Sequence, residues 1–312
     1  MLGIWACVAL LAGADDNWPE FRAFHGVSKA TNTPVTFGES ENVKWKTPIP
    51  GKAWASPVIW GDRIWLANAP VDGKELHVLG VDRESGKIVQ DFKVFDIPFP
   101  EFCHATNSHA SCTPTVEEGR IYAHFGSNGT AALDMKTGAK LWERRDLPCN
   151  HFRGPASSPI LVGDRLYVQF DGFDFQYVVC LDKNTGKTIW KKDRDTEYGE
   201  IDGDRKKAYG TPSLIEHAGR KMLVTSAAFE TIAFNPDNGD FLWRVKHGGM
   251  NGAARPIYAH GLIYLCAGQD DRTLVAVKPD GTGDISSQIV WSTGKNVPLR
   301  GSPLLVGDLL FM

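Results

Sequence analysis

The sequence predicts an all-β fold made of repeated four-stranded antiparallel units, and three observations support this prediction. One motif recurs six times along the 312 residues. Each copy carries residues typical of tight turns at matching positions. The composition agrees, because 32 glycines and 18 prolines suit a chain with many turns, while 42% hydrophobic and 23% charged residues are typical of a globular protein.

Each repeat begins with a short apolar strand that follows a proline. The clearest copy reads SPILVGDRLYV (158–168) and continues, after a spacer, with VVCLDKNTGKTIW (178–190). Successive anchoring prolines are separated by 57, 45, 53, 44 and 47 residues. They are Pro57, Pro114, Pro159, Pro212, Pro256 and Pro303. Self-similarity with a period of this length is typical of repeat architectures such as solenoids and propellers.

Four strands can be placed within the repeat at 158–190. Pro159 opens the first strand, where its missing N–H does little harm, and Gly163-Asp164 predicts a hairpin turn. Asp182 begins the turn before the fourth strand, since its side chain can accept bonds from nearby backbone amides, and Gly186 supplies a positive φ. The equivalent turn residues are Asp82 with Gly86, Asp134 with Gly138, and Asn235 with Gly239. The fourth strand ends with Trp142, Trp190, Trp243 or Trp291, and with Gln90 in the first copy.

A unit of this size cannot bury both of its faces alone, so the units must stack around an axis as the blades of a β-propeller. The tryptophan at the end of each fourth strand then fills the space between blades, which is worth about 1.5–3 kcal/mol or more. We therefore interpret the repeated Trp, Gly, Asp and Pro as structural. Trp45 lies 12 residues before Pro57, as Trp291 lies 12 before Pro303. This spacing predicts that Trp45 belongs to the outermost strand of the last blade.

The motif formed by Ala132, Asp134, Thr137, Gly138 and Trp142 resembles the repeat of the pyrroloquinoline-quinone (PQQ)-like propellers. That superfamily contains quinoprotein alcohol dehydrogenases and non-catalytic, BamB-like members. The resemblance covers residues 43–312, and the segment NWPEFR (17–22) is similar to the leader of secreted PQQ-like proteins of planctomycete-type bacteria. The resemblance implies seven or eight blades. Five complete repeats and part of a sixth are present, so we expect a propeller truncated at its C-terminal end.

The N-terminus predicts a secreted or periplasmic protein. Residues 1–14 carry no charge and end in Ala12-Gly13-Ala14, which is typical of a signal-peptidase site. This stretch is shorter than the roughly 20 apolar residues that span a bilayer. We therefore expect a signal peptide at 1–14, a leader at 15–42 and the propeller at 43–312, with no transmembrane segment. A net charge of −3 without a long basic run argues against nucleic-acid binding.

Loops that join successive blades gather on one face of a propeller, which we call the loop face, and function often lies on such loops. The polar side chains on these loops are our candidates for contact with a ligand or partner: His104, His109, Asn150, His151, Arg153, His247, Arg255 and Arg300. Five of them are expected to form a cationic rim near the channel mouth, suited to an anionic or sugar-like ligand. These five are His151, Arg153, His247, Arg255 and Arg300. The simpler interpretation, which we favour over a ligand site, is that the arginines bind loop carbonyls between blades.

The loop from Cys103 to Cys112 allows more than one interpretation. His104 and His109 have a spacing found in zinc sites, but the two cysteines flank this pair rather than completing it. The simpler interpretation is a disulfide between Cys103 and Cys112 or plain loop packing. We assign no metal site here.

The resemblance to quinoprotein dehydrogenases implies a disulfide between adjacent cysteines, calcium-binding acids and a catalytic Asp. The sequence has no Cys-Cys pair, and Asp171 with Asp174 falls short of the six to eight oxygens, roughly, that calcium takes. We therefore expect neither PQQ nor calcium, no catalytic residue, and a binding or scaffold propeller that holds a protein or a small polar or sugar-like ligand. The alternatives are a quinone- or metal-dependent oxidoreductase and a carbohydrate-binding or carbohydrate-processing propeller.

Overall fold

The structure, a computed structural model, describes residues 17–28, 30–31 and 33–312. Five blades follow one another along the chain, four of them as four-stranded antiparallel sheets and one within a five-stranded sheet, and a two-stranded hairpin comes after them. Within each sheet the strands are hydrogen-bonded in chain order, so successive hairpins build one blade. This confirms the predicted all-β propeller of four-stranded blades. The signal peptide predicted at 1–14 lies outside the described residues.

The first blade contains β1 (Val58–Trp60), β2 (Arg63–Asn68), β3 (Glu75–Asp82) and β4 (Ile88–Asp96). The second contains β5 (Thr115–Glu117), β6 (Arg120–His124), β7 (Thr130–Asp134) and β8 (Lys140–Arg144). The third contains β9 (Ile160–Val162), β10 (Arg165–Asp171), β11 (Gln176–Asp182) and β12 (Thr188–Asp193). The fourth contains β13 (Ser213–His217), β14 (Arg220–Ser226), β15 (Glu230–Phe234) and β16 (Phe241–Lys246).

The fifth blade contains β17 (Ile257–Ala259), β18 (Leu262–Cys266), β19 (Leu274–Val277) and β21 (Ile289–Thr293). Between its last two strands, β20 (Gly283–Asp284) pairs in parallel with β16 of the fourth blade. The hairpin consists of β22 (Leu304–Val306) and β23 (Leu309–Phe311). Short 3-10 helices occur at Ala23–Gly26, Gly203–Lys206 and Ser286–Gln288. In the described part of the chain, no helix has the length and apolar character needed to cross a membrane.

The hydrophobic core lies between blades rather than within any one of them. Trp142 of the second blade packs with Leu166 and Val179 of the third. Trp190 of the third blade packs in the same way with Leu223 of the fourth. Similar clusters join the first blade to the second, the fourth to the fifth, and the fifth to the hairpin. Each blade is therefore stabilised by its neighbours, as the repeat requires.

A hydrogen bond between neighbouring blades recurs at the end of the fourth strand. The indole N–H of Trp142 donates to the Lys183 carbonyl at 2.7 Å, and that of Trp190 donates to the Pro236 carbonyl at 3.0 Å. Gln90, which takes the place of tryptophan in the first blade, donates its amide N–H to the equivalent Met135 carbonyl at 3.3 Å. The exception to the sequence pattern therefore preserves the contact between blades.

The segment before the first blade takes the position of a preceding fourth strand. Trp45 donates its indole N–H to the Arg83 carbonyl at 3.0 Å, which repeats the contact between blades. It also lies over Gly86, as Trp142 lies over Gly186. At the other end of the series, Trp291 is 39% exposed.

A second set of bonds between blades involves the residues that precede the repeated prolines. The backbone N–H of one such residue donates to the side-chain hydroxyl of its counterpart in the next blade. These bonds, of 2.9–3.1 Å, run from Ser56 to Thr113, Thr113 to Ser158, Ser158 to Thr211, and Arg255 to Ser302. Of the six residues before these prolines, Arg255 alone has no hydroxyl.

Candidate functional site

The leader enters the space enclosed by the first strands of the blades, which we call the central channel. Trp18 exchanges two backbone hydrogen bonds with Ile59 of β1, at 2.9 and 2.8 Å. The backbone N–H of Val116 in β5 then donates to the Pro19 carbonyl at 2.8 Å. The leader therefore satisfies channel-facing backbone groups of the first two blades.

Arg255 holds the leader on the opposite wall of the channel. Its guanidinium forms an ion pair with Glu20 at 2.8 Å and also donates to the Phe21 carbonyl. Both charged side chains are largely buried, at 13% and 20% exposure. Arg22 extends the contact by donating to the Pro303 carbonyl at 2.5 Å. Arg255 thus binds the protein's own leader inside the channel and does not form part of a rim on the loop face.

The loop face carries an ion-paired cluster centred on Asp204. Arg153 donates Nε and Nη2 to the two carboxylate oxygens at 3.1 and 2.8 Å, and the buried ammonium group of Lys207 contacts the same carboxylate. The hydrogen bond from Arg153, together with Lys207, lowers the pKa of Asp204 to about 2. The side chain of Asp202 caps this short helical turn by accepting from the Asp204 N–H at 2.8 Å. The cluster fastens two of the loops between blades together.

Phenylalanine rings lie close to this cluster, and two of them are exposed to solvent. The ring of Phe152 is 6.4 Å from that of Phe102 and 5.5 Å from that of Phe173. Lys207 Nζ lies 4.7 Å from the centre of the Phe152 ring, which is a cation–π distance. Phe102 is 65% exposed and Phe152 is 38% exposed. We call Phe102, Phe152 and Phe173 the aromatic surface.

Two of the predicted rim histidines carry no charge at neutral pH. His151 is buried, its Nε2 accepts from the Ser127 N–H at 3.1 Å, and burial lowers its pKa to about 4. His247 donates from Nδ1 to the Gly248 carbonyl at 2.8 Å and accepts at Nε2 from the Thr231 hydroxyl at 3.0 Å. Burial lowers the pKa of His247 as well. The expectation of a cationic rim is therefore wrong for both histidines, because their burial favours the neutral form.

The remaining candidates do not converge on one point. Arg300 is exposed, and Arg153 is partly exposed and ion-paired with Asp204. Asn150 is exposed, and its side chain accepts from the Phe152 N–H at 2.9 Å, which helps to fix the aromatic surface. His104 bonds within its own loop to the Thr106 hydroxyl at 2.8 Å. His109 is buried, and burial lowers its pKa.

The loop from Cys103 to Cys112 contains no disulfide in the structure. All five cysteines within the described ranges are free thiols. Cys112 is fully buried, and burial raises its pKa. Within the same ranges, no group of three or more His, Cys, Asp or Glu side chains is placed to hold a metal ion.

Sequence reasoning missed Asp204, Lys207 and the aromatic surface. The signal lay in the unusual phenylalanines of the loops, since Phe102, Phe152 and Phe173 all belong to segments without strand character. It also missed the role of Glu20 in the leader. The sequence feature that could have indicated the contact between Glu20 and Arg255 is the arginine before Pro256, where the other repeats have Ser or Thr.

Comparison with known proteins identifies the family. The family model described as "Outer membrane protein assembly factor BamB" matches residues 98–174 and 174–312. The chain therefore belongs to this family of PQQ-like β-propellers.

The curated relatives include both dehydrogenases and an assembly factor. A quinoprotein ethanol dehydrogenase of Pseudomonas putida is 25% identical over 285 residues, covering 80% of this chain and 40% of the relative. The outer membrane protein assembly factor BamB of Alkalilimnicola ehrlichii is 28% identical over 214 residues, covering 68% of this chain and 48% of the relative. The chain thus spans less than half the length of either relative.

Solved structures agree on the fold. BamB from Moraxella catarrhalis superimposes with a TM-score of 0.62 at 15% identity, covering 86% of this chain and 73% of that one. A europium-containing methanol dehydrogenase gives a TM-score of 0.53 at 15% identity, covering 76% of this chain and 50% of the other. At these identities the likeness shows the fold alone.

The two acids considered for calcium, Asp171 and Asp174, and the cysteines do not match the ligands that the dehydrogenase resemblance implies. The sequence has no pair of adjacent cysteines. Asp171, one of the two acids considered for calcium, is fully buried and ion-paired with Arg194 at 2.6 Å. Asp174 accepts from the backbone N–H groups of Asn150 and Phe175 at 2.7 and 2.8 Å. Both carboxylates therefore already have structural partners.

Proposed function

We propose that this protein is a non-catalytic binding or scaffold propeller of the secreted or periplasmic space, and that it holds a protein partner on its loop face. The aromatic surface is the observation that supports this proposal. Aromatic residues and arginine are enriched in protein interfaces, especially where they form rigid central anchors. Phe152 is held from below by Lys207 and from the side by Phe173. These contacts limit the positions that the Phe152 ring can take.

The electrostatics of the cluster indicate what kind of partner would bind. Asp204 is shared by Arg153 and Lys207, so the charges beneath the phenyl rings are largely compensated. Phenyl rings offer no hydrogen-bonding group of their own. A partner that presents apolar side chains would therefore gain more from this surface than a highly charged one.

Site-specific photo-crosslinking tests the proposal in the cell that carries the gene. A photoreactive amino acid replaces Phe102 in one variant and Ile189 in a matched control. Ile189 is 44% exposed but lies on the outer strand β12, away from the loop face. We expect a discrete protein adduct only at position 102, weakened by Phe152→Ala in the same chain. Equal labelling at both positions, or none at position 102, would contradict the proposal.

The similarity to quinoprotein ethanol dehydrogenase over 80% of the chain favours a second candidate, a quinone- or metal-dependent oxidoreductase. Titrating the purified full-length protein with PQQ and calcium distinguishes the two. Saturable binding that raises the melting temperature supports the oxidoreductase, because a ligand that binds only the folded state stabilises it. No absorbance change and no shift support the binding protein.

A further inference from the structure

A cavity of about 190 Å³ lies in the central channel beside the leader. The leader contributes Glu20, Arg22 and His25 to its lining, and the wall contributes β9, Ser213 and Arg255. A space of this size has room for several water molecules or for one small polar ligand. The cavity lies away from the aromatic surface and does not depend on it.

The charges that face this cavity do not balance. Arg22 and Arg255 each carry one positive charge, whereas Glu20 supplies one negative charge. Burial, followed by the nearby charge of Arg255, lowers the pKa of His25, so this imidazole is neutral at pH 7. One positive charge is therefore left uncompensated in a partly buried space, where it costs more than it would in water.

The hydrogen-bond donors of Arg22 are also mostly unused. A guanidinium offers five N–H donors, and among the described residues the side chain of Arg22 makes one hydrogen bond, from Nη2 to the Pro303 carbonyl. Arg255, by contrast, is bonded to Glu20, Phe21 and Pro212. The bond between Glu20 and Arg255 shows that this wall of the channel already recognises a carboxylate.

We propose that the channel cavity is a binding site for a small oxyanion, a carboxylate or a phosphate, held between Arg22 and Arg255. Such a ligand supplies the missing negative charge and accepts from the unused donors of Arg22, and guanidinium groups match both kinds of oxyanion in two-point contacts. Because Arg22 belongs to the leader and Arg255 to the fifth blade, the bound anion would also fasten the leader in the channel.

Isothermal titration of the full chain tests this site, with malonate and inorganic phosphate as separate probes and chloride at matched ionic strength as the reference. We expect saturable binding of at least one oxyanion, and the probe that binds more tightly identifies the preferred class. Arg22→Gln should weaken the affinity by tenfold or more. Arg272→Gln, which alters an exposed arginine on the loop between β18 and β19, is the matched control and should bind like the wild type.

Glu20→Gln separates ligand binding from simple loosening of the leader. This variant removes the competing carboxylate and keeps both guanidinium groups, so anion binding should become tighter. If the anion effect came only from ordering of the leader, Glu20→Gln would weaken binding instead, because it breaks the ion pair with Arg255. No saturable binding beyond the chloride reference, or unchanged affinity in Arg22→Gln, would overturn the proposal.

Discussion

The buried ion pair between Asp171 and Arg194 gives the sharpest prediction about stability. Both side chains are fully buried, with Nε–Oδ1 and Nη2–Oδ2 distances of 2.6 and 3.0 Å. Arg194 also donates to the Thr225 hydroxyl of the fourth blade at 2.8 Å. Arg194→Met keeps most of the side-chain volume but leaves the Asp171 carboxylate with Gln169 as its one remaining side-chain donor among the described residues. The free energy of unfolding should fall by about 3–5 kcal/mol, the usual cost of breaking a buried pair.

Chemical denaturation followed by tryptophan fluorescence measures this change. Lys187→Met, an exposed substitution in the same blade, serves as the control and should stay within about 0.5 kcal/mol of the wild type. The double variant Asp171→Leu with Arg194→Met should be more stable than Arg194→Met alone, because it removes the uncompensated charge. A loss below about 1 kcal/mol for Arg194→Met, or a double variant less stable than the single one, would refute this reasoning.

Three further outcomes are expected from the same unfolding assay. Gly186→Ala should lower the free energy of unfolding far more than Gly163→Ala. Both glycines have positive φ, but only a Cβ at Gly186 would lie 2.6 Å from Trp142. Gly163→Ala should cost about 1–2 kcal/mol, and an equal cost for both variants would contradict the packing argument. Burial lowers the pKa of His124 from 6.5 to about 3. Between these pH values the unfolded chain binds more protons than the folded one, so the free energy of unfolding should fall as the pH drops. His124→Asn should make the free energy of unfolding less dependent on pH in this range. The pKa of Asp204 is lowered from 3.8 to about 2. Its contribution to stability should therefore be complete above pH 3.8 and should be lost as the pH falls through about 2. This loss should be absent in Asp204→Asn.

The blade architecture could be predicted because its determinants are local and repeated. Asp182 was expected to organise a turn, and its Oδ1 accepts from the N–H groups of Asn184 and Thr185 at 3.0 and 2.8 Å. The same arrangement occurs at Asp82 and Asp134. Such contacts span only two or three residues, so the order of residue types is enough to reveal them.

The candidate site was harder to predict because burial decides the chemistry of its residues. His151 and His247 have the residue type of a cationic rim, yet both are neutral because neighbouring blades bury them. Arg153 lies on the loop between the second and third blades, whereas Asp204 and Lys207 lie on the loop between the third and fourth, so the contact exists only in the folded protein. The spacing of residues in the sequence does not predict this ion-paired contact, because it depends on how the loops fold over the channel mouth.

Residues that follow the repeat pattern and residues that depart from it differ in how many of their hydrogen-bonding groups are available to a ligand. Where the pattern holds, side-chain groups such as the Thr113 hydroxyl and the Trp142 indole are used in bonds between blades, so they have little left to offer a ligand. Arg255 departs from the hydroxyl pattern, and its guanidinium reaches into the channel to the leader instead. A departure from the repeat can preserve the contact between blades, as Gln90 does, or direct a side chain to other groups, as Arg255 does. This argument makes the cavity beside Arg255 and the uneven loops that carry the aromatic surface the two places where binding should be sought first.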